Sequence, residues 1–293
     1  LFDLIHVVIT DHSSITRITK EVVEDFASEN VVYRAENYTK GIICFRTFLS
    51  CCIYGEKKSS KRSYIEAVLE GLRVVSSVDV AFIPYSEETK TKSLLSPLLL
   101  DASYKSAVET VMLALEMRHF GVVGIDLSGN PAVGEWITYL LALKFAREQG
   151  LYVTLHCGEV SNSKEIHDML DFLLQRIGHA CFFKEEHWRR LKSSNIPRIM
   201  ICMARSRCPL LVINQLKFDL YNAKHPLVLC TDDSGVFSTS LSNEYKIAAF
   251  SFGLGQKELF ELSKNAIEFI FADNVVKEDL RKKFNSAAKN LEL

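Results

Sequence analysis

Val122-Val123-Gly124-Ile125-Asp126-Leu127 is a short apolar run that ends in the polar turn Ser128-Gly129-Asn130-Pro131. An amphipathic stretch from Trp136 to Arg147 follows and stops at Gly150. The unit then repeats. Leu151-Tyr152-Val153-Thr154-Leu155 is tipped by His156-Cys157-Gly158-Glu159 and leads into a helical pattern from Ser163 to Leu174. Arg176-Ile177-Gly178-His179, Ile199 to Met203, and Leu227 to Cys230 continue the series, the last tipped by Thr231-Asp232-Asp233. Near-continuous apolar strands separated by helices predict a parallel sheet covered on both faces.

Two architectures satisfy that pattern: an open doubly wound sheet and a (β/α)8 barrel. An open sheet usually carries a glycine-rich phosphate turn at an early strand, and this chain has none. Polar and acidic residues recur instead at the C-terminal ends of several strands, where a barrel keeps its active site. The expectation is an α/β protein, a TIM (β/α)8 barrel, formed by residues 1–293 as one domain.

Composition agrees with a single large core: of 293 residues, 48% are hydrophobic. The stretch from Ser240 to the end reads as helices with Lys and Glu on their exposed faces, and no repeat, low-complexity segment or linker interrupts the chain. Lysine plus arginine (35) nearly balance aspartate plus glutamate (36), which argues against a polyanion-binding surface. A small-molecule substrate and a monomer are expected, with no nucleic-acid partner. No apolar run reaches the length of a membrane span and no signal peptide is visible, so a cytosolic protein with no membrane partner is expected. The eight cysteines show no CxxC spacing, and several sit in apolar runs. They read as buried free thiols rather than disulfides or a thiolate zinc site.

The chemistry gathers on the strand tips. His156 can ligate a metal, and Glu159 lies in the turn beside it. His179 is one strand later, and Asp232-Asp233 follow the last strand of the series. Together they supply a His/Asp ligand set with an additional acid and histidine, which suits hydrolysis by metal-activated water. A lone histidine near a strand end is more often a hydrogen-bonded structural residue, and an Asp-Asp pair before a helix is more often a cap. Recurrence on successive tips is what singles these residues out.

Four segments carry a resemblance to a known family: Gly124 to Pro131, Leu155 to Glu159, Arg176 to His179, and Leu229 to Phe237. In order and spacing they resemble the adenosine/AMP deaminases. The last block, continued through Ser238 to Tyr245, is most similar to the adenosine-deaminase-like branch, especially its plant members, which removes methylamine from N6-methyl-AMP to give IMP. The resemblance implies a zinc-dependent purine aminohydrolase acting on a purine nucleoside or nucleotide. Residue by residue, it implies that His156 and Asp232 ligate Zn2+. Glu159 matches the acid that protonates N1 of the purine, and burial favours the uncharged form that this task needs. His179 matches the residue that orients the attacking water, and Asp233 the carboxyl group that holds the water and N7. Gly129 matches a backbone N–H donor to N3, and His6 a substrate-contacting histidine.

The chain also departs from the family. The family's first strand carries a His-x-His pair that supplies two zinc ligands, and no His-x-His occurs in these 293 residues. The opening Leu1 to Val8 reads as the interior of a helix without a cap before it, so the chain is expected to begin after a cut, with the first barrel strand missing. Where the branch continues Leu-Glu-Leu-Arg-Thr-Thr-Pro-Lys after Tyr33, this chain has Arg34-Ala35-Glu36-Asn37-Tyr38-Thr39-Lys40. Back-translated and read one base out of frame, that run yields Glu-Leu-Arg-Thr-Thr-Pro-Lys. Residues from Arg34 to Glu56 are therefore expected to be an out-of-frame segment, with the family frame resuming near Ser60. Two further blocks are eroded, at Asp101-Ala102-Ser103-Tyr104 and at Ile201 to Ser206. Arg205 and Arg207 read as solvated charge. The alternative to an active deaminase is a truncated, catalytically silent relative.

Overall fold

The computed structural model describes residues 9, 11–29, 31, 36–37, 60–75, 93–95, 104–128, 134–172, 176–193, 199–201, 218, 220–232 and 234–292. Its strands are β1 (Glu36–Asn37), β2 (Ser93–Leu95), β3 (Val122–Leu127), β4 (Tyr152–Cys157), β5 (Arg176–His179), β6 (Ile199–Ile201) and β7 (Leu227–Leu229). They form one sheet in the order β1-β2-β3-β4-β5-β6-β7, and every neighbouring pair is parallel. A doubly wound sheet reverses its strand order at a switch point, whereas a barrel keeps stepping in one direction. The monotonic order bears out the barrel over the open sheet.

Helices fill the crossovers. Helix α1 (His12–Ser28) precedes β1, α2 (Lys61–Val75) precedes β2, and α3 (Tyr104–Glu116) precedes β3. Helix α4 (Trp136–Glu148) joins β3 to β4, α5 (Ser163–Asp171) joins β4 to β5, and α6 (Glu185–Ser193) follows β5. After β7 come α7 (Ser234–Phe237), α8 (Leu241–Phe252), α9 (Gln256–Asn265) and α10 (Asn274–Asn290). Helix α1 illustrates the local logic. Asp11 caps it by accepting from the Ser14 N–H at 2.8 Å. Ile15, Val22, Val23 and Phe26 recur at helical spacing and are buried. Helix α2 packs closely on α1. A Cβ added at Gly71 would lie 2.5 Å from the Thr19 Cβ, and the Thr16 hydroxyl donates to the Ala67 carbonyl at 2.9 Å.

Strand register sorts the side chains into two faces. Asp126 is paired with Thr154, Thr154 with Arg176, and His156 with Gly178. Since side chains alternate along a strand, Asp126, Thr154, His156 and Arg176 share one face, and Leu127, Leu155 and Ile177 share the other. The first face is polar and buried, and the second is apolar. Within the polar face, Arg176 Nε donates to the Thr154 hydroxyl at 3.2 Å. The Arg176 guanidinium also lies 4.2 Å over the ring of Phe271, which stacks on Tyr152 at 4.3 Å. The segment after α9 therefore packs against the N-terminal ends of β4 and β5, opposite the strand tips. The start of α8 is tied to the end of α1, where Ser242 N–H donates to Glu29 Oε2 at 2.7 Å.

Several expectations fall outside the described residues: the opening segment with His6, the eroded block from Asp101 to Ser103, Arg205 and Arg207, and residues 34–56 apart from Glu36–Asn37. Among the described cysteines, Cys157 and Cys230 are buried, but Cys181 is partly exposed, which corrects the uniform expectation of buried thiols. No helix among the described residues is long and apolar enough to cross a membrane.

Candidate active site

Four strand ends, those of β3, β4, β5 and β7, meet at one buried cluster. His156 is the fifth residue of β4, one before its end, and its Nδ1 lies 2.9 Å from Asp126 Oδ1 on β3. The Asp126 side chain is fully buried and that of His156 is 3% exposed. An ionised carboxylate only accepts, so it fixes the imidazole proton on Nδ1 and leaves Nε2 as the lone-pair nitrogen. That is the tautomer a metal ligand requires. In the sequence Asp126 is one residue of the Gly124-to-Pro131 motif, without a role of its own. The signal was there: a single carboxylate inside an otherwise apolar, buried strand.

His179 closes β5, and its ring centroid lies 4.8 Å from that of His156. The His179 Nε2 is bonded to Glu159 Oε1, and its Nδ1 lies 3.8 Å from Asp232 Oδ2. All three side chains are at most 3% exposed. One imidazole thus stands between two buried carboxylates, an arrangement that can hold or pass a proton. His156, Glu159 and His179 each offer a ligand atom within 4.8 Å of the others, close enough for one cation to reach all three.

The backbone here adopts sparsely populated conformations. His179 has φ +72°, Ala180 +54° and Asp232 +50°, left-handed values that disfavour most side chains. Such residues persist where surrounding structure over-determines them, and they cluster at functional sites. Gly158 sits between His156 and Glu159 with φ +71°, and an added Cβ there would lie 2.8 Å from the Phe183 ring. Glycine is required twice over at that turn, by conformation and by space. A cavity opens beside the cluster, lined among others by Ser128, Tyr139, His156, Glu159, Ile166 and Met169.

Of the residues expected from sequence, His156, Glu159, His179 and Asp232 are brought together. Asp233, Gly129 and His6 lie outside the described residues.

Comparison with known proteins matches residues 1–287 to the adenosine deaminase family. The chain is 52% identical to the N6-mAMP deaminase of Arabidopsis thaliana, across 98% of this chain and 82% of that protein. It is 32% identical to the human N6-methyl-AMP deaminase, across 97% of this chain and 78% of the relative. The crystal structure of Arabidopsis ADAL complexed with IMP superposes with a TM-score of 0.85 at 51% identity, covering 99% of this chain and 82% of that one.

Proposed function

The chain belongs to the adenosine deaminase family, and from that premise we infer that it hydrolyses N6-methyl-AMP to IMP and methylamine. The observation that carries this reading is the buried run Glu159–His179–Asp232 beside the oriented His156–Asp126 pair. The relatives named above, at 52% and 32% identity, support the substrate class.

The residues present fit a divalent cation, because Asp126 sets His156 in its ligand tautomer and the buried carboxylate of Asp232 lies 3.8 Å from the His179 ring that neighbours His156. His156 and Asp232 would hold Zn2+, which when bound supplies the charge that activates water for attack at C6. Glu159 gives its proton to N1 of the purine, making C6 electrophilic. His179, held between Glu159 and Asp232, orients the attacking water and takes up its proton. Asp233 completes the grip on water and N7, and Gly129 and His6 contact the substrate. Water adds to C6, the C6–N6 bond breaks, and the amine leaves with the first proton that water gave up. The second, lost from the C6 hydroxyl as the carbonyl of IMP forms, restores Glu159 to its acid form.

The same reading makes the protein a cytosolic monomer that handles a small purine nucleoside or nucleotide, with no nucleic-acid or membrane partner. The near-balance of 35 basic and 36 acidic residues supports the absence of a nucleic-acid partner. A second reading is that this polypeptide holds the nucleotide without turning it over, and the departure from the family pattern at Arg34 to Lys40 favours it. Absorbance change on incubation with N6-methyl-AMP, together with zinc content, separates the two. Turnover with bound zinc supports the deaminase, and retention of nucleotide without turnover supports the second reading.

A further inference from the structure

A second cluster of imidazole and carboxylate lies outside the active site. Ligand atoms of His167, Glu186 and His187 are within 4.8 Å of one another. Hydrogen bonding argues against a metal there. His187 Nδ1 accepts the Lys184 backbone N–H at 2.9 Å, so its proton must sit on Nε2. Nε2 in turn lies 2.8 Å from the Ser163 hydroxyl, which donates to Glu186 Oε1 at 2.9 Å. With its proton on Nε2, His187 has no lone pair there for a cation.

The same bonds define something else. We propose that Ser163, His167, Glu186 and His187 form a proton-operated latch on the turn that carries Glu159 and the loop that follows His179. In the neutral state every donor has an acceptor: Lys184 to His187, His187 to Ser163, Ser163 to Glu186. The Lys184 N–H is one of the donors at the start of α6 that the helix itself does not satisfy, and His187 satisfies it three residues on. A second proton on His187 would occupy Nδ1 and face that N–H, donor against donor. The cap would then be lost.

The cap is coupled to the active site through short contacts. The loop from Ala180 to Lys184 joins β5 to α6. Its Ala180 N–H donates to the Cys157 carbonyl and its Phe182 N–H to the Gly158 carbonyl, both at 2.9 Å. The Phe183 ring packs on Gly158 and lies 5.5 Å, centroid to centroid, from His187. Gly158 is bonded directly to Glu159. Releasing Lys184 therefore loosens the contact that positions the general acid.

The groups facing His187 set its response. Its side chain is fully buried, which disfavours the charged ring, and His167 on α5 and Lys184 in the loop add repulsion. Glu186 on α6 pulls the other way. His167 itself is held by its Nδ1 donating to the Ser163 carbonyl at 2.8 Å, with its ring 4.6 Å from His187. The latch therefore opens on the acidic side of histidine's ordinary range.

Nuclear magnetic resonance titration of the unmodified protein, from about pH 7.5 to about pH 5, tests this without needing turnover. The expected result is the Nε2–H tautomer of His187 at the upper end, with the Lys184 and Gly158 amides following the His187 titration as pH falls. Exchange at the Lys184 amide should accelerate roughly five- to tenfold beyond its intrinsic pH dependence, the size of a lost helix cap. An Nδ1–H tautomer, or a Gly158 amide that ignores the His187 titration, would overturn the proposal. His187→Asp keeps an acceptor for Lys184 that does not titrate in this range, and should flatten the response of both amides. The same response in that variant would equally overturn it.

Discussion

Asp126 Oδ1 and His156 Nδ1 lie 2.9 Å apart across adjacent parallel strands, thirty residues apart in the chain, with both side chains shielded from water. This pair decides which nitrogen of His156 faces the rest of the cluster. Replacing Asp126 with Ala should weaken zinc binding about 10- to 100-fold, the usual consequence of removing a partner that orients a ligand. Competition with a chromophoric chelator measures this. An unchanged affinity would mean that the pair is structural only.

Glu159 is bonded to His179 and nearly excluded from solvent. Glu159→Gln keeps the shape but cannot deliver the proton, so turnover of N6-methyl-AMP should fall by roughly 10²- to 10⁴-fold. Affinity for IMP should change far less. The comparison is made by steady-state kinetics beside calorimetric titration with IMP.

Gly158→Ala puts a methyl group 2.8 Å from the Phe183 ring at a residue with φ +71°. Strain and overpacking together should cost about 2–4 kcal/mol, read as a lower midpoint in urea. The same substitution at Gly253, where φ is +66° and no atom lies within 4 Å of the added Cβ, should cost only the conformational part.

Asp11 caps α1, and hydrogen bonds from the Ser13 hydroxyl and from the Ser14 backbone and hydroxyl hold its pKa down at about 2, against an ordinary 3.8. A depressed carboxyl stabilises the fold above its unfolded pKa, and that contribution fades as pH falls from about 4 through about 2. Asp11→Ala should therefore cost about 1 kcal/mol near neutral pH and leave stability less sensitive to acid in that window. Denaturant melts at a series of pH values check both parts.

How far the sequence reveals the molecule differs from feature to feature. Strand β3 is legible to the residue, because Val122–Leu127 is a bounded apolar run. Strand β4 runs two residues beyond the expected Leu155, into His156 and Cys157, because pairing with β5 continues there and Cys157 then accepts from Ala180. Barrel order was legible only as a recurrence of polar tips, and the strand register turns that recurrence into one buried polar face. Asp126 stands out in the sequence as a lone carboxylate in an apolar strand, but its partner His156 is remote in the chain and only the register brings the two together. The left-handed backbone at His179 and Asp232 was hidden, since neither is a glycine and the tertiary surroundings impose it. Glu159, His179 and Asp232 were recognisable by resemblance, but their joining through the single imidazole of His179 is a matter of geometry.

The most direct measurement is a single-sample assay of the purified 293-residue chain: zinc per polypeptide by mass spectrometry, and ultraviolet conversion of N6-methyl-AMP followed by identification of products. A zinc-dependent deaminase should carry close to one zinc per chain and release IMP and methylamine in equal amounts, and a strong chelator should abolish both. A chain without stoichiometric zinc that leaves N6-methyl-AMP unchanged after zinc is supplied would contradict it.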